Sequence, residues 1–361
     1  MHSASTSRVS QVGSISSAQS FAAGRGQGSG LADAGTSRSG PTIKVLLEYL
    51  VYLFVRLMEE LVCLIPGDRR ALAVGALLGR LGYVVARDRR QVAIDNLTIA
   101  FGAERSPEEI RRIARKNFEH LGMLSMEFFR LRRWNQQMLA ERLVLKGQNS
   151  FNLAWAPGSR GIFVVLSHFG SFEVLAAVSR FLGLRGTLVV TGAPNRFVNR
   201  SMIFHRGGSD SGLTIIPHRG VVHRVIDSLR AGEMVGVLAD QRGDDTRPIW
   251  VDFFGRKALA NGVFARFAIE GEAYVVPLRA VRLLDGRYLC EFGEEIPVEV
   301  TDDRVHDLTV TSQRFHDIFE AWLREYPEQG FWVHRKFKRR GPKRARNRAP
   351  ELRPAPMEHE I

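Results

Sequence analysis

Cysteine is nearly missing from this chain: Cys63 and Cys290 are the whole supply in 361 residues, far apart and without a CxxC spacing. That excludes a disulfide framework and a zinc-ribbon site, and it suits reducing cytosol or an inner membrane face. Glycine-rich phosphate fingerprints of the Walker or dinucleotide type are absent. No apolar run follows Met1 closely enough to read as a secretory leader. Long apolar runs free of charge are missing too. Ile43 to Ile65 (IKVLLEYLVYLFVRLMEELVCLI) has the length of a bilayer-spanning helix but contains Lys44, Glu48, Arg56, Glu59 and Glu60. Each charge near a bilayer centre costs about 2.5–3.5 kcal/mol, so the segment is expected to lie in an interface or pack on its own domain rather than span. Acidic residues are the minority, 38 against 51 Lys and Arg, and the net charge of +13 calls for an anionic partner. Nucleic acid would require a recognisable module or interleaved aromatics, and neither is found.

What is present divides the chain by texture. Residues 1–40 are Ser, Gly, Ala and Gln with scattered Arg, too poor in large apolar groups to offset the entropy of ordering, and are expected to form a disordered tail. Pro66-Gly67 ends the first helix, and Ala71–Ala86 reads as a second, glycine-rich one. Ser106-Pro-Glu-Glu109 is a helix start with Ser106 as cap, Pro107 in the first turn and Glu109 closing a capping box. The helix it opens carries Ile110, Ile113, Phe118, Leu121 and Leu124 at three- and four-residue spacing. After Gly158 short β-rich runs take over: Gly161–Ser167, Gly186–Thr191, Leu213–Ile216, Met234–Ala239 and Tyr274–Val281. Helical stretches such as Val221–Ala231 and Gly262–Glu270 lie between them. This alternation predicts an α/β fold, a sheet covered by helices on both faces. Arg279–Leu284 and Arg287–Phe292 around Asp285-Gly286 read as a hairpin, and Thr311–Tyr326 as a closing amphipathic helix. From Arg335 to Arg348 the chain is almost entirely basic, a solvated tail that an anionic leaflet would attract by about 1 kcal/mol per residue.

The chemistry concentrates where the buried run Ile162–Leu166 ends on His168, with Glu173 five residues on. A histidine at the carboxyl end of a strand stands where α/β folds collect their sites. With Ser171 as helix cap, Glu173 would fall in the first turn, ionised, reaching one imidazole nitrogen and leaving the other to take a proton from a hydroxyl. A single H-x4-E match serves equally well as a pair of helix-capping side chains. Ser171 lacks the G-x-S-x-G elbow of a nucleophile and is better placed as a cap. His205, His218 and His223 lack the spacing of a metal site, and Gly207-Gly208 reads as flexible loop.

Arg89-Arg90, Asn96-Leu97, Phe101, Asn117-Phe118, Glu127 and His168-Phe-Gly-Ser-Phe-Glu173 are followed in order by further blocks. These are Ala239-Asp240-Gln241-Arg242, Phe253-Phe254-Gly255-Arg256 and Pro327-Glu-Gln329 with Trp332-Val-His334-Arg335. Together, over roughly residues 45–340, they resemble the bacterial lipid A biosynthesis acyltransferase family, related to lysophospholipid acyltransferases. The resemblance implies a central mixed sheet flanked by helices, similar to glycerol-3-phosphate acyltransferases, with a helical N-terminal region. It divides the chain into a tail (1–40), an apolar membrane-associated helix (41–66), an acyltransferase domain (67–340) and a basic tail (341–361). It implies transfer of a fatty acyl chain from acyl carrier protein or acyl-CoA to a glycolipid hydroxyl at the cytoplasmic face of the inner membrane. No metal or other cofactor and no nucleic acid is expected, and an anionic lipid membrane is the expected surface. In the implied scheme His168 is the general base and Glu173 orients it. Arg206, rather than Arg196 or Arg200, binds the donor or oxyanion. Asp240 and Gln241 shape the pocket wall as structural or binding groups, and Phe254-Gly255 lets a loop pass close to the acyl groove. The alternatives are a lysophospholipid or other polar-lipid acyltransferase, whose members generally carry Asp where Glu173 stands, and a non-catalytic protein that binds membrane or nucleic acid.

Overall fold

The computed structural model describes residues 43–147, 160–207, 212–217, 220–243 and 248–337. The tails at 1–40 and 341–361, Gly208 and His218 lie outside the described residues. Four helices open the described chain: α1 (Ile43–Leu64), α2 (Asp68–Val85), α3 (Arg87–Phe101) and α4 (Pro107–Arg130). They pack in the same unit as the sheet that follows.

The start of α4 is as the sequence predicts. Glu109 N–H donates to Ser106 Oγ at 3.3 Å, and Ser106 N–H donates to Glu109 Oε2 at 2.9 Å, with Pro107 in the first turn. On α2 the buried stripe is Ala71, Gly75 and Gly79, spaced by four so that all three meet α4. The two backbones lie so close that a Cβ on Gly79 would stand 2.1 Å from Phe118 O, and one on Gly122 2.0 Å from Gly75 O. This stripe uses the small residues of α2 for packing. Its large ones, Leu77, Leu78 and Leu81 among them, are left exposed.

Helix α1 is inverted in the same sense. Glu48, Arg56, Glu59 and Glu60 recur at three- and four-residue spacing on the side turned toward the protein, where Glu59 is 1% exposed. The opposite side presents Leu46, Leu50, Phe54, Leu57 and Leu61 to the outside, Phe54 being 61% exposed. Four of the five charges that argue against a span are therefore paired against protein. No helix among the described residues is long and apolar enough to cross a membrane.

A 3-10 turn (Leu131–Arg133) and α5 (Gln136–Arg142) lead into β1 (Leu143–Lys146). The sheet is then built from β2 (Ile162–Leu166), β3 (Gly186–Val190), β4 (Leu213–Pro217), β5 (Met234–Leu238), β8 (Tyr274–Arg282) and β9 (Tyr288–Phe292). Its order is β1-β9-β8-β2-β5-β3-β4. From β8 to β4 all neighbours are parallel, β9 is antiparallel to β8, and β1 is parallel to β9, so the sheet is mixed as expected. The crossovers are α6 (Val174–Leu182), α7 (Arg196–Gly207), α8 (Val222–Arg230) and α9 (Gly262–Glu270), and α10 (Arg304–Glu325) closes the fold. Strand β2 is buried throughout and splits by alternation. Phe163 and Val165 face one core with Leu229, Phe267, Phe315 and Phe319, whereas Ile162, Val164 and Leu166 face another with Val174, Leu175 and Val178 of α6.

The expected strands match to within two residues, and the Asp285-Gly286 hairpin is present with Gly286 at φ 87°. Besides the helices Gln136–Arg142 and Arg196–Gly207, three strands were not foreseen. β1 is one, and the others are β6 (Ile249–Phe253) and β7 (Arg256–Ala260), an antiparallel hairpin whose turn places Phe254 at φ 52° and Gly255 at φ 66°. The closing helix starts seven residues before its expected start, because Asp303 Oδ1 accepts from the N–H groups of Val305 and His306, both at 3.0 Å.

Candidate active site

Sheet register assembles the first part of the site. Leu166 at the end of β2 is paired with Leu238 at the end of β5, and Ala239 N–H donates to Leu166 O at 2.8 Å. Two residues past each strand end stand His168 and Asp240. Asp240 Oδ1 lies 2.8 Å from His168 Nδ1 and also accepts the His168 backbone N–H at 3.1 Å. A carboxylate at Nδ1 holds the proton there, so Nε2 carries the lone pair. Nε2 has no hydrogen-bond partner among the described residues, and His168 lines a cavity. Phe172 and Phe331 flank the ring, with centroids 5.1 and 5.4 Å away.

The second part comes from α6 and α7. Arg206 forks onto Glu173, Nε to Oε2 at 2.9 Å and Nη2 to Oε1 at 2.6 Å, with the guanidinium 5.6 Å from the Phe128 ring centroid. Two expectations are corrected here. Glu173 does not orient the imidazole, because its carboxylate is engaged by Arg206 and the Nδ1 position belongs to Asp240. Asp240 in turn is the imidazole's partner, beyond the wall-shaping part assigned to it. Ser171 is also not the helix cap: α6 begins at Val174 with Glu173 in the capping position, and Ser171 Oγ is buried without a partner among the described residues.

The electrostatics follow from these pairings. Burial works against the His168 imidazolium, but the charge and hydrogen bond of Asp240, helped by Glu173, more than offset it and raise its pKa, with Arg206 opposing. Burial opposes ionisation of Asp240 as well, yet His168 and Lys336 hold its pKa well below the usual carboxylate range. Lys336 escaped the sequence reading, hidden in a basic run that suggested solvent. Its Nζ donates to Asp240 O at 2.7 Å, and burial lowers its pKa to about 8, with Asp240 counteracting.

The loop that carries His168 is pinned from behind. Gly170 sits at φ 61° with its Cα against Ala280, where a Cβ would come within 2.0 Å of a carbonyl oxygen. Its N–H donates to Gln329 O at 2.8 Å, and its carbonyl accepts from His120 Nε2 at 3.2 Å. With that proton on Nε2, His120 Nδ1 accepts from Arg282, which also forks onto buried Glu127. Burial and then Arg282 push the His120 pKa well below its ordinary value. Asn96 Nδ2 bonds Trp332 O and His334 O, both at 2.7 Å, and Asn117 Nδ2 bonds Glu328 O and Gly330 O. The motif residues of α3, α4 and the C-terminal block thus act together as the brace of one loop.

The cavity has a volume of about 1130 Å³, at the upper end of small-ligand sites. Val164, Leu166, Leu175, Val178, Leu188 and Met234 make an apolar lobe between α6 and the sheet. His168, Glu173, Arg206, Gln241, Arg242 and His334 supply its polar end. Gly236 on β5 keeps the lobe open, since a Cβ there would lie 3.4 Å from Leu188 and 3.7 Å from Leu166. Gln241 is among the residues that line the cavity. Phe254 and Gly255 do not: Phe254 is buried in the core against Phe101 and Trp332, with ring centroids 5.2 and 5.9 Å away, and Gly255 completes a hairpin turn. His205 turns its ring nitrogens to Glu59 and Ser201 O, and no cluster of three metal-ligating side chains occurs among the described residues.

A hydroxyl brought to Nε2 would meet a base whose other nitrogen is fixed by a buried carboxylate, in a cavity of about 1130 Å³ with an apolar lobe. Comparison with known proteins agrees in kind. The chain is 24% identical over 294 residues to the lipid A biosynthesis palmitoleoyltransferase of Escherichia coli (strain K12), covering 81% of this chain and 89% of the relative. The lipid A biosynthesis acyltransferase of Shigella flexneri matches to the same extent. The lipid A biosynthesis lauroyltransferase of Escherichia coli (strain K12) is 26% identical over 272 residues, 74% of this chain and 85% of that one. Residues 38–339 match the family model for bacterial lipid A biosynthesis acyltransferases, and the chain belongs to that family of O-acyltransferases.

Proposed function

We propose that the protein transfers a fatty acyl chain from an acyl thioester, carried by acyl carrier protein or CoA, to a hydroxyl of a lipid A precursor-like glycolipid. The observation that carries this reading is the Asp240–His168 pair at the polar end of an apolar cavity. The thioester's hydrocarbon chain occupies the lobe between α6 and the sheet. His168 Nε2 takes the proton as the acceptor oxygen forms its bond to the thioester carbonyl carbon. The tetrahedral intermediate then collapses, the C–S bond breaks, and the imidazolium returns its proton to the departing sulfur, which leaves as a thiol. Asp240 keeps the tautomer and stabilises the imidazolium of the intermediate. Arg206, held by Glu173 at the rim, supplies fixed positive charge to the oxyanion or to an anionic donor. Gln241 contributes to the wall of the binding site. The chemistry calls on no metal or other cofactor.

The work is placed at the cytoplasmic face of an inner membrane. The outward apolar sides of α1 and α2, next to a chain of net charge +13, suit insertion into an anionic lipid interface without a span. The test uses purified protein, labelled acyl thioester and acceptor lipid in vesicles. Wild type is expected to label the acceptor and His168→Ala to lose about 10²–10⁴ of the rate. Transfer by folded His168→Ala at the wild-type rate would overturn the proposed base. Lipid mass spectrometry of a strain lacking the gene identifies the acceptor, and an unchanged lipid A fraction beside altered phospholipids would assign the activity to a lysophospholipid instead.

A further inference from the structure

The helix that faces outward with its apolar side also holds one of the cavity's arginines in place. Glu59, buried on the inner side of α1, takes His205 Nε2 at 2.6 Å and Arg132 Nε at 2.5 Å, with Arg56 also on the same carboxylate. His205 belongs to α7, where its Nδ1 lies 2.6 Å from Ser201 O, and its ring stacks on Phe128 with centroids 5.4 Å apart. The next residue is Arg206, which lies over the same Phe128 ring and forks onto Glu173. The other end of α7 is tied to α1 as well. Asn195, whose Oδ1 caps α7 at Phe197 and Val198, donates through Nδ2 to Glu48 O at 2.7 Å, and the Phe197 ring lies 5.3 Å from that of Tyr49. Both ends of α7 thus hang on α1, and its last turn carries Arg206, one of the arginines that line the cavity.

We propose that Glu59 and His205 are positioning residues that couple the seating of α1 on a lipid surface to the placement of Arg206 against Glu173. The proposal rests on the membrane-surface reading above. Its physical basis is the inverted polarity of α1. In water the outer side of this helix is exposed and apolar, and α1 is held to the body by its inner side: the ion pairs of Glu59 and Glu60, the hydrogen bonds of Asn195, Arg130 and Arg133 to its carbonyls, buried Val62 and Cys63, and the aromatic contacts. A lipid interface covers the outer side, adds apolar burial that the aqueous state lacks, and so favours the seated helix. Because α7 is fastened at both ends to α1, tightening of α1 reaches Arg206 through one turn of helix. The partner that fits is a lipid surface, since a water-exposed apolar helix gains from any depth of hydrocarbon without a shaped counterpart.

Two measurements test the coupling. The first is hydrogen–deuterium exchange of full-length wild type with and without vesicles of phosphatidylethanolamine and phosphatidylglycerol. Amides of Arg196–Gly207 are expected to slow about tenfold or more on vesicle addition, along with those of α1. Slowing confined to α1 and α2 would overturn the coupling. The second is transfer to vesicle-borne acceptor by His205→Leu and His205→Gln. Glu59 keeps Arg56 and Arg132 in both, so neither variant strands a buried charge. His205→Leu is expected to lower kcat about tenfold with KM within about twofold. His205→Gln, whose amide N–H replaces the Nε2 donor, is expected to recover most of the loss. Equal rates for folded His205→Leu and wild type would overturn the role of His205. If wild type itself transfers no acyl group, the functional reading fails, whereas the exchange experiment still decides the coupling.

Discussion

The two flanks of the cavity each consist of one acid paired with one base, and they are built in opposite ways. On the strand side Asp240 and His168 are brought together by parallel register, each two residues past a paired strand end, so the geometry inherits the rigidity of the central sheet. On the helix side Glu173 and Arg206 come from the start of one crossover helix and the end of the next, and their support runs through Phe128 and α1. Position along the chain would pair His168 with Glu173, five residues away. Register pairs it with Asp240, 72 residues away. In the proposed scheme the rigid flank holds the group that exchanges a proton within hydrogen-bond distance. The flank mounted on helices holds the fixed charge, which acts over a longer range and tolerates adjustment.

The largest expected effect breaks the strand flank. Asp240→Asn presents an amide to Nδ1 and favours the wrong tautomer, and kcat is expected to fall about 10³–10⁴-fold with the fold retained, as read by single-turnover acyl transfer and circular dichroism. Glu173→Gln breaks the helix flank and leaves the strand flank intact. The expected loss is smaller, about 10–10²-fold, because Arg206 keeps its charge and loses only its fork. A Glu173→Gln defect as deep as that of Asp240→Asn would reverse the assignment of the two acids.

The pH dependence separates the flanks further. The raised His168 pKa places the acidic limb of kcat/KM above the ordinary imidazole value of about 6.5, and Asp240→Asn is expected to move any residual limb to lower pH. Stability runs in the opposite direction with pH. A raised folded pKa contributes stability that is complete below the unfolded value near 6.5 and lost as pH rises through the folded value. Asp240, with its pKa lowered, contributes above about 3.9 and loses that contribution only in stronger acid. Asp240→Asn should therefore cost more melting temperature near pH 5 than near pH 9, in matched thermal scans.

Smaller effects sharpen the comparison from outside both flanks. Gly236→Val fills the apolar lobe against Leu188 and Leu166, and is expected to shift preference toward shorter acyl chains by about 10-fold with the rate on short donors largely kept. The double change Leu50→Glu and Leu78→Glu touches exposed positions only. It is expected to weaken vesicle flotation while leaving the melting temperature within about 2 °C. Strong destabilisation would mean that these faces pack on protein.

Local signals were legible wherever chemistry acts over a few residues. The capping box at Ser106, the Asp285-Gly286 turn and the all-apolar run of β2 each appear where the residues place them, because neighbours in sequence satisfy them. The hairpin of β6 and β7 was missed because its turn is made by Phe254-Gly255, with a bulky residue at positive φ that only core packing against Phe101 and Trp332 sustains. Lys336 was read as part of a solvated basic run because nothing local reveals that its ammonium is buried beneath Asp240.

By itself, then, the sequence determined the alternation of strands and helices, the family, and the placing of His168 at a strand end, all from patterns that local periodicity and ordered motifs encode. Tertiary structure decided which carboxylate the histidine meets, since that depends on β2 lying beside β5 in one register. It also decided which way α1 faces. Five charges on a helix read as a barrier to lipid, but the fold turns four of them inward onto partners and leaves the apolar side outside. Helix composition states how much charge there is, and only packing states on which side it is neutralised.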